Sequence, residues 1–284
     1  MRYLVTGANG MLGRDLQSVL EGREVTALAR TDLDVTDAAA VTAAVSGHDV
    51  VINCAAYTKV DDAEGDERTA YAVNATGAGN LAAAAAAAGA KLVQVSTDYV
   101  FDGRATSPYA ETTPRAPISA YGRTKAAGEE LVLEHNPERS YVVRTAWLYG
   151  EHGPNFAKTM LKLAASRETW TVVDDQVGQP TWTADLAAQI VSLLDSDAPA
   201  GIYHGTNSGE TTWFGFAKAV LDGAGLDPER ISPTDSSQFV RPAPRPSYSV
   251  LGHEAWSRAG IPPMRDWRTA LDAAFASGAL ADLG

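Results

Sequence analysis

Within its first twenty residues the chain commits to a strand, a glycine-spaced turn and a helix. Residues 2–6 form an apolar, β-branched run; Gly7-Ala8-Asn9-Gly10-Met11-Leu12-Gly13 follows, and 11–20 has helical spacing. Glycines at three-residue steps permit a tight turn. They also let backbone N–H groups approach an anion at the positive end of the helix dipole. At the first strand-to-helix turn of an alternating chain, the segment reads as the cradle of a dinucleotide pyrophosphate. Gly7, Asn9, Gly10, Met11, Leu12 and Gly13 are its expected contacts; in isolation, such a motif also reads as a plain glycine-rich turn.

The alternation continues. Apolar runs at 24–29, 50–54, 91–96 and 141–145 read as strands. Helical stretches at 38–45, behind an Asp37 cap, at 66–88 up to Gly89, and at 120–134 lie between them. Beyond Gly150 the regularity weakens to helices near 155–165, 183–194, 213–224 and from 267, with short strands at 170–173 and 201–205. This predicts an α/β protein with a Rossmann-type doubly wound parallel sheet. Residues 1–150 would form the dinucleotide-binding domain, with a returning segment around 170–205. Residues 151–284 would mainly form a smaller, interleaved α/β substrate-binding lobe.

Charge narrows the function classes. With 35 acidic and 23 basic residues the net charge is −12, opposite to the basic face that nucleic acid requires. No run is long and apolar enough to span a bilayer, and the first residues lack a signal core, so no membrane partner and a cytoplasmic location are expected. The single cysteine, Cys54, excludes an intrachain disulfide and a multi-cysteine zinc site, and its apolar setting suits plain packing. An anionic ligand must therefore be met by local arginines or backbone N–H groups.

Tyr121-Gly122-Arg123-Thr124-Lys125 opens the helix after the fourth strand. Positions four apart share a helix face, so the phenol and the ammonium point into one space. A free phenol titrates near about 10 and needs help at neutral pH. A nearby ammonium would favour the phenolate, and roughly 4 kcal/mol of differential interaction would make it useful. Thr97 stands at the carboxyl end of the preceding strand, where open α/β sheets bind ligands, and can polarise a carbonyl. Together Thr97, Tyr121 and Lys125 read as the catalytic set of a carbonyl reductase. After the second strand, Arg30 stands where an NAD-preferring site usually carries a carboxylate, and its guanidinium suits a 2′-phosphate. NADPH is the expected cofactor; NADH stays open because Asp32 or Asp34 could reach the ribose.

The G-x-x-G-x-x-G spacing resembles the short-chain dehydrogenase/reductase superfamily. Longer blocks sharpen the resemblance: Asn53-Cys54-Ala55-Ala56-Tyr57-Thr58-Lys59-Val60-Asp61, Ser96-Thr97-Asp98-Tyr99-Val100-Phe101-Asp102-Gly103, Tyr121-Gly122 with Lys125 and Gly128-Glu129, Val143-Arg144-Thr145-Ala146-Trp147, Asp175-Gln176-Val177-Gly178-Gln179-Pro180-Thr181 and Arg245-Pro246. Across nearly the whole chain these resemble the dTDP-4-dehydrorhamnose reductase family, extended members of that superfamily. The resemblance implies reduction of the 4-keto group of a dTDP-4-keto-6-deoxy-L-hexose by NAD(P)H. It adds Asp34, Val35, Ala55, Ala56, Tyr57 and Val95 to Arg30, Tyr121 and Lys125 as cofactor contacts, and assigns Thr97, Asp98 and Trp147 to the sugar.

A flat indole at a strand's carboxyl end suits a sugar face, with a core position as the other reading of Trp147. Arg245 is a candidate for the nucleotide diphosphate, or an ordinary surface charge. The resemblance also implies a monomer or a homodimer, the latter bridged in some members by Mg²⁺. Asp15 and Asp185 stand at two matching positions, but Arg268 replaces a third acidic residue, which puts the bridge in doubt. No metal ligand is assigned. Rival readings are a related antibiotic-pathway 4-ketoreductase, a nucleotide-sugar dehydratase or epimerase, and a non-catalytic protein like the methionine adenosyltransferase regulatory subunit. Related dehydratases carry Asp-Glu after the threonine, whereas here Asp98 precedes Tyr99; the intact Thr97, Tyr121 and Lys125 argue against a purely regulatory role.

Overall fold

The computed structural model describes residues 1–281. Five strands, β1 (Arg2–Thr6), β2 (Glu24–Leu28), β3 (Val50–Asn53), β4 (Lys91–Thr97) and β5 (Ser140–Thr145), form the main sheet with Gly201–His204 as the sixth. Every pairing is parallel, and the spatial order is sixth strand, β5, β4, β3, β1, β2. Every residue of β3 and β5 is buried, as expected for strands covered on both faces.

The covering helices come in two groups. On one face α1 (Met11–Val19) lies against the later helix Thr183–Leu194, and Leu12, Leu16, Leu186 and Ile190 share a core with Val5, Ile52 and Val143. On the other face are α2 (Ala38–Val45) and, after the short α3 (Val60–Ala63) and α4 (Glu67–Tyr71), α5 (Gly77–Ala88) and α6 (Ala120–His135). There Val41, Leu81, Ala85 and Val132 meet Leu4, Val51 and Leu92. The connection after β1 runs one way to β2 and that after the adjacent β3 runs the other way to β4, so a crevice opens at the carboxyl ends of β1 and β3.

The helix expected over 66–88 runs from Glu67 to Ala88 behind the Asp66 cap, as α4, a π turn at Ala72–Thr76 and α5, and ends at Gly89 with φ 67°. Asn74, inside the π turn, explains the widening. Its Nδ2 donates to the Tyr57 carbonyl and to Thr124 Oγ1, both at 3.1 Å, and its Oδ1 accepts from the Tyr57 N–H at 2.8 Å. Widening the helix by one residue turns this side chain inward to tie the end of β3 to α6. Alanine periodicity carries no sign of that demand.

Of the segment 170–205, Gly201–His204 joins the main sheet, whereas Trp170–Val173 pairs in parallel with Ile231–Thr234 beyond it. Near that pair lie α7 (Phe156–Ser166), α9 (Trp213–Gly223) and α11 (Trp267–Ala276), while the Thr183–Leu194 helix, α8, and α10 (Glu254–Arg258) belong to the main-sheet core. Tyr149, Leu161, Trp170, Phe216, Leu221 and Leu271 form a separate apolar cluster there. Asn155 is the cap of α7 rather than its first residue, accepting from the Lys158 N–H at 3.0 Å. No helix among the described residues is long and apolar enough to cross a membrane.

Candidate active site

A cleft of about 1180 Å³ runs from the glycine turn to Trp147. All the residues singled out from the sequence for cofactor and catalysis line it, as do Asp98 and Trp147. Arg245 does not.

At one end the backbone is pressed together. Gly7 has φ +66°, and a Cβ there would lie 2.6 Å from the Ala55 nitrogen; one on Gly13 would lie 2.5 Å from the Gly7 carbonyl oxygen. Only hydrogen at these positions lets α1 and the end of β3 close on the turn. Gly10 is the N-cap of α1 and has no side chain to satisfy the first N–H groups, and no acidic residue occupies the first turn. The cradle fits a pyrophosphate on geometric and electrostatic grounds.

The two carboxylates after β2 are committed locally. Asp32 Oδ2 accepts from the Ala29 N–H at 2.9 Å. Asp34 Oδ1 accepts from the Thr36 N–H at 2.9 Å and hydroxyl at 2.8 Å, bonds that hold its carboxyl below the usual range. Arg30 stays exposed at the cleft edge. The donor set at this edge is therefore a free guanidinium, suited to a 2′-phosphate.

At the cleft floor, Ser119 caps α6 by accepting from the Gly122 N–H at 3.1 Å and sets how the helix enters. Tyr121 and Lys125 then face the end of β4. The expected pairing of ammonium with phenol is not what the fold makes. Lys125 Nζ donates to the Val95 carbonyl at 2.7 Å, and burial lowers its pKa to about 8 against the opposing charge of Glu129. Tyr121 is pushed up from the ordinary phenol range, first by burial and then by the Asp98 carboxylate, while the Thr97 hydroxyl favours the charged form. In this state the phenol is held protonated rather than acidified, chiefly because it is buried and secondly because of the Asp98 carboxylate.

Thr97 Oγ1 donates to Asp98 Oδ1 at 2.9 Å and accepts from the Tyr99 N–H at 3.2 Å. Asp98 is 2% exposed, and burial pushes its carboxyl up to about 6 against the Ser249 and Thr97 hydroxyls. Its Oδ2 has no hydrogen-bond partner, and neither has the buried hydroxyl of Thr145, the residue that pairs with Thr97 in the β4–β5 register. Both residues line the cleft. Each of the two oxygens is buried without a partner beside the cleft, whereas most buried polar groups are bonded. Sequence reasoning missed Thr145, although its place at a strand's carboxyl end was available as a signal.

Behind the catalytic helix lies a buried ion pair that sequence reasoning quoted only as motif letters. Glu129 accepts from Arg144 Nε at 2.9 Å, Arg144 Nη2 at 2.7 Å and Ser96 Oγ at 2.6 Å. Neither charged residue is more than 1% exposed, and the Arg144 guanidinium lies over the Phe101 ring at 5.0 Å. The pair fastens α6 to the ends of β4 and β5.

Trp147 combines both readings made of it: its indole lines the cleft and also stacks on Trp213. Its φ of +46° is the one positive value at a non-glycine residue among those described, a conformation that costs on the order of 1–3 kcal/mol. Arg245 is spent elsewhere, forking onto Asp61 at 2.6 and 3.0 Å. Of the positions compared with a Mg²⁺ bridge, Asp15 keeps one buried carboxylate oxygen without a partner, and the other two are engaged. Asp185 is held by Arg265 at 2.6 and 2.8 Å and by Asn207 at 2.8 Å, and Arg268 pairs with Asp222. Among the described residues no three His, Cys, Asp or Glu side chains group to hold a metal.

Residues 1–279 match the family model described as RmlD substrate binding domain. The chain is 53% identical to a dTDP-4-dehydrorhamnose reductase from Streptomyces griseus, over 96% of this chain and 93% of the relative. It is 51% identical to a dTDP-4-keto-6-deoxy-D-glucose reductase from Streptomyces niveus, over 96% of each. A crystal structure of dTDP-4-dehydrorhamnose reductase from Bacillus anthracis in complex with NADP is similar at 41% identity and a TM-score of 0.94, covering 97% of this chain and 99% of that one.

Proposed function

Because the chain belongs to the RmlD substrate binding domain family of dTDP-4-dehydrorhamnose reductases, we propose that its cleft binds NADPH and reduces the 4-keto group of a dTDP-4-keto-6-deoxy-L-hexose. The product on this reading is dTDP-L-rhamnose. The observation that carries it is the meeting of Thr97, Tyr121 and Lys125 with the glycine cradle in one cleft. The NADP bound to the Bacillus anthracis relative and the unpaired guanidinium at Arg30 favour NADPH over NADH.

Bound NADPH supplies the hydride that reaches the carbonyl carbon. The Tyr121 phenol donates the proton to the carbonyl oxygen, and the pressure that keeps it protonated suits a donor. The Thr97 hydroxyl lies beside that phenol and polarises the carbonyl. Lys125, anchored on the Val95 carbonyl at 2.7 Å, holds the nicotinamide ribose and presents a positive charge to the developing alkoxide. Asp98 and Thr145 line the sugar end of the cleft, and Trp147 meets a sugar face. Arg245 would reach the diphosphate only by leaving Asp61.

The test is to supply dTDP-4-keto-6-deoxy-D-glucose with and without its 3,5-epimerase, follow oxidation of NADPH and NADH, and identify the sugar by NMR. Turnover dependent on the epimerase, with NADPH preferred, is the expected result. Equal turnover without it would move the substrate to the unepimerised ketone that the Streptomyces niveus relative is named for. No oxidation with either cofactor would overturn the assignment.

A further inference from the structure

Two residues outside the cleft lining hold Trp147. Its indole stacks on Trp213 with ring centroids 3.6 Å apart and planes 12° from parallel. Gly178 also lies against it: a Cβ there would come within 2.6 Å of Trp147 Cε2 and Cζ2. These two restraints are one unit, because Val177–Gly178 pairs antiparallel with Thr211–Thr212, the residues immediately before Trp213. Trp213 is itself fixed as the first residue of α9, whose Thr212 cap accepts from the Gly215 N–H at 3.0 Å, and Phe156 rests against its ring at 4.5 Å. Next to Gly178, Gln179 is buried and bonded to Thr206 and to both backbone groups of Leu251.

We propose that Trp213 and Gly178, joined by this two-stranded ladder, are positioning residues that hold Trp147 as a preset flat platform for the hexose ring of the substrate. The inference rests on the reading of Trp147 as a sugar contact. The physical reason lies in how its backbone and its ring are held. A tryptophan at φ +46° is not in a conformation that an L-residue adopts unaided. The backbone at 147 is tied by the Thr181 N–H to the Trp147 carbonyl at 3.2 Å, and without the stack it is the indole that is free to take another rotamer and leave the cleft wall. With it, the ring is ordered before substrate arrives, so binding does not have to order it. This also gives a reason for glycine at 178, where any side chain would fill the space the indole occupies.

The test measures KM, kcat and NADPH Kd with the epimerised dTDP-4-keto-6-deoxyhexose. Trp213→Ala is expected to raise KM about tenfold, with kcat changed less than about threefold and NADPH Kd unchanged. Trp213→Phe, which keeps an aromatic stack, should recover most of that loss. Gly178→Ala displaces the indole from another direction and should raise KM in the same manner; it and Trp213→Phe carry the test if Trp213→Ala fails to fold. The near-UV circular dichroism of the indole pair should change in Trp213→Ala and in Trp147→Ala alike. Wild-type KM in Trp213→Ala and Gly178→Ala, with KM raised in Trp147→Ala, would overturn the positioning role. Wild-type KM in Trp147→Ala would overturn the sugar contact itself, and the positioning role with it.

Discussion

Replacing Glu129 with glutamine removes one charge from the buried pair behind the catalytic helix while keeping the side chain's shape. In the native protein Oε1 accepts from Ser96 and Arg144 Nε, and Oε2 from Arg144 Nη2, with Arg115 at 3.4 Å. Glutamine keeps one acceptor and turns a donor toward the guanidinium. Arg144 is 1% exposed and cannot be hydrated, and its other polar neighbours are the Glu111 carbonyl at 3.5 Å and His204 Nε2 at 3.4 Å. Breaking a buried pair from one side costs about 3–5 kcal/mol. At about 2.1 cal/mol/K of unfolding entropy per residue, a chain of 284 residues loses about 5–8 °C in Tm. Thermal and urea unfolding followed by circular dichroism would measure it. The double change Glu129→Leu with Arg144→Met, which removes both charges, should recover much of the loss. A second readout concerns Lys125, one turn earlier on α6, whose ammonium Glu129 favours against burial. Without that charge the alkaline fall of kcat/KM should begin below pH 8. A Tm within about 1 °C of wild type would refute the ion-pair reasoning. An unmoved alkaline limb would refute its link to Lys125.

Tyr121→Phe should lower kcat by about 100-fold or more with NADPH affinity unchanged, as expected for loss of a proton donor; single-turnover rates and cofactor titration check it. Arg30→Ala should weaken NADPH by roughly 10–100-fold and leave NADH little affected, read from Kd for each cofactor. In the unmodified protein kcat/KM should fall as pH rises through about 8, because the Lys125 pKa is lowered by burial and the ammonium is complete only below that value. A pH profile flat to pH 10 would exclude Lys125 as a required cation.

Much of the sheet was readable from short local patterns. The five strands through residue 145 and the helix 183–194 lie where β-branched runs and apolar periodicity put them, since each element's own residues cover its faces. The helix over 66–88 lies where it was read, but the π turn inside it was not legible, for the opposite reason. The π turn answers to Tyr57 and Thr124, which lie 17 and 50 residues from Asn74, and no local preference encodes such bonds. Among the site residues, Arg245 was drawn away by Asp61, 184 residues earlier in the chain.

By itself, then, the order of residues determined the glycine cradle, the Tyr121–Lys125 face and the strand end carrying Thr97, because each depends on spacing within one element. Only the tertiary structure decided what those groups experience. It set Lys125 on the Val95 carbonyl, left Asp98 and Thr145 each with a buried, unbonded oxygen beside the cleft, and laid Trp147 on Trp213. Desolvation and stacking belong to whatever surrounds a side chain. Here those surroundings are assembled from strands and loops far apart in the chain.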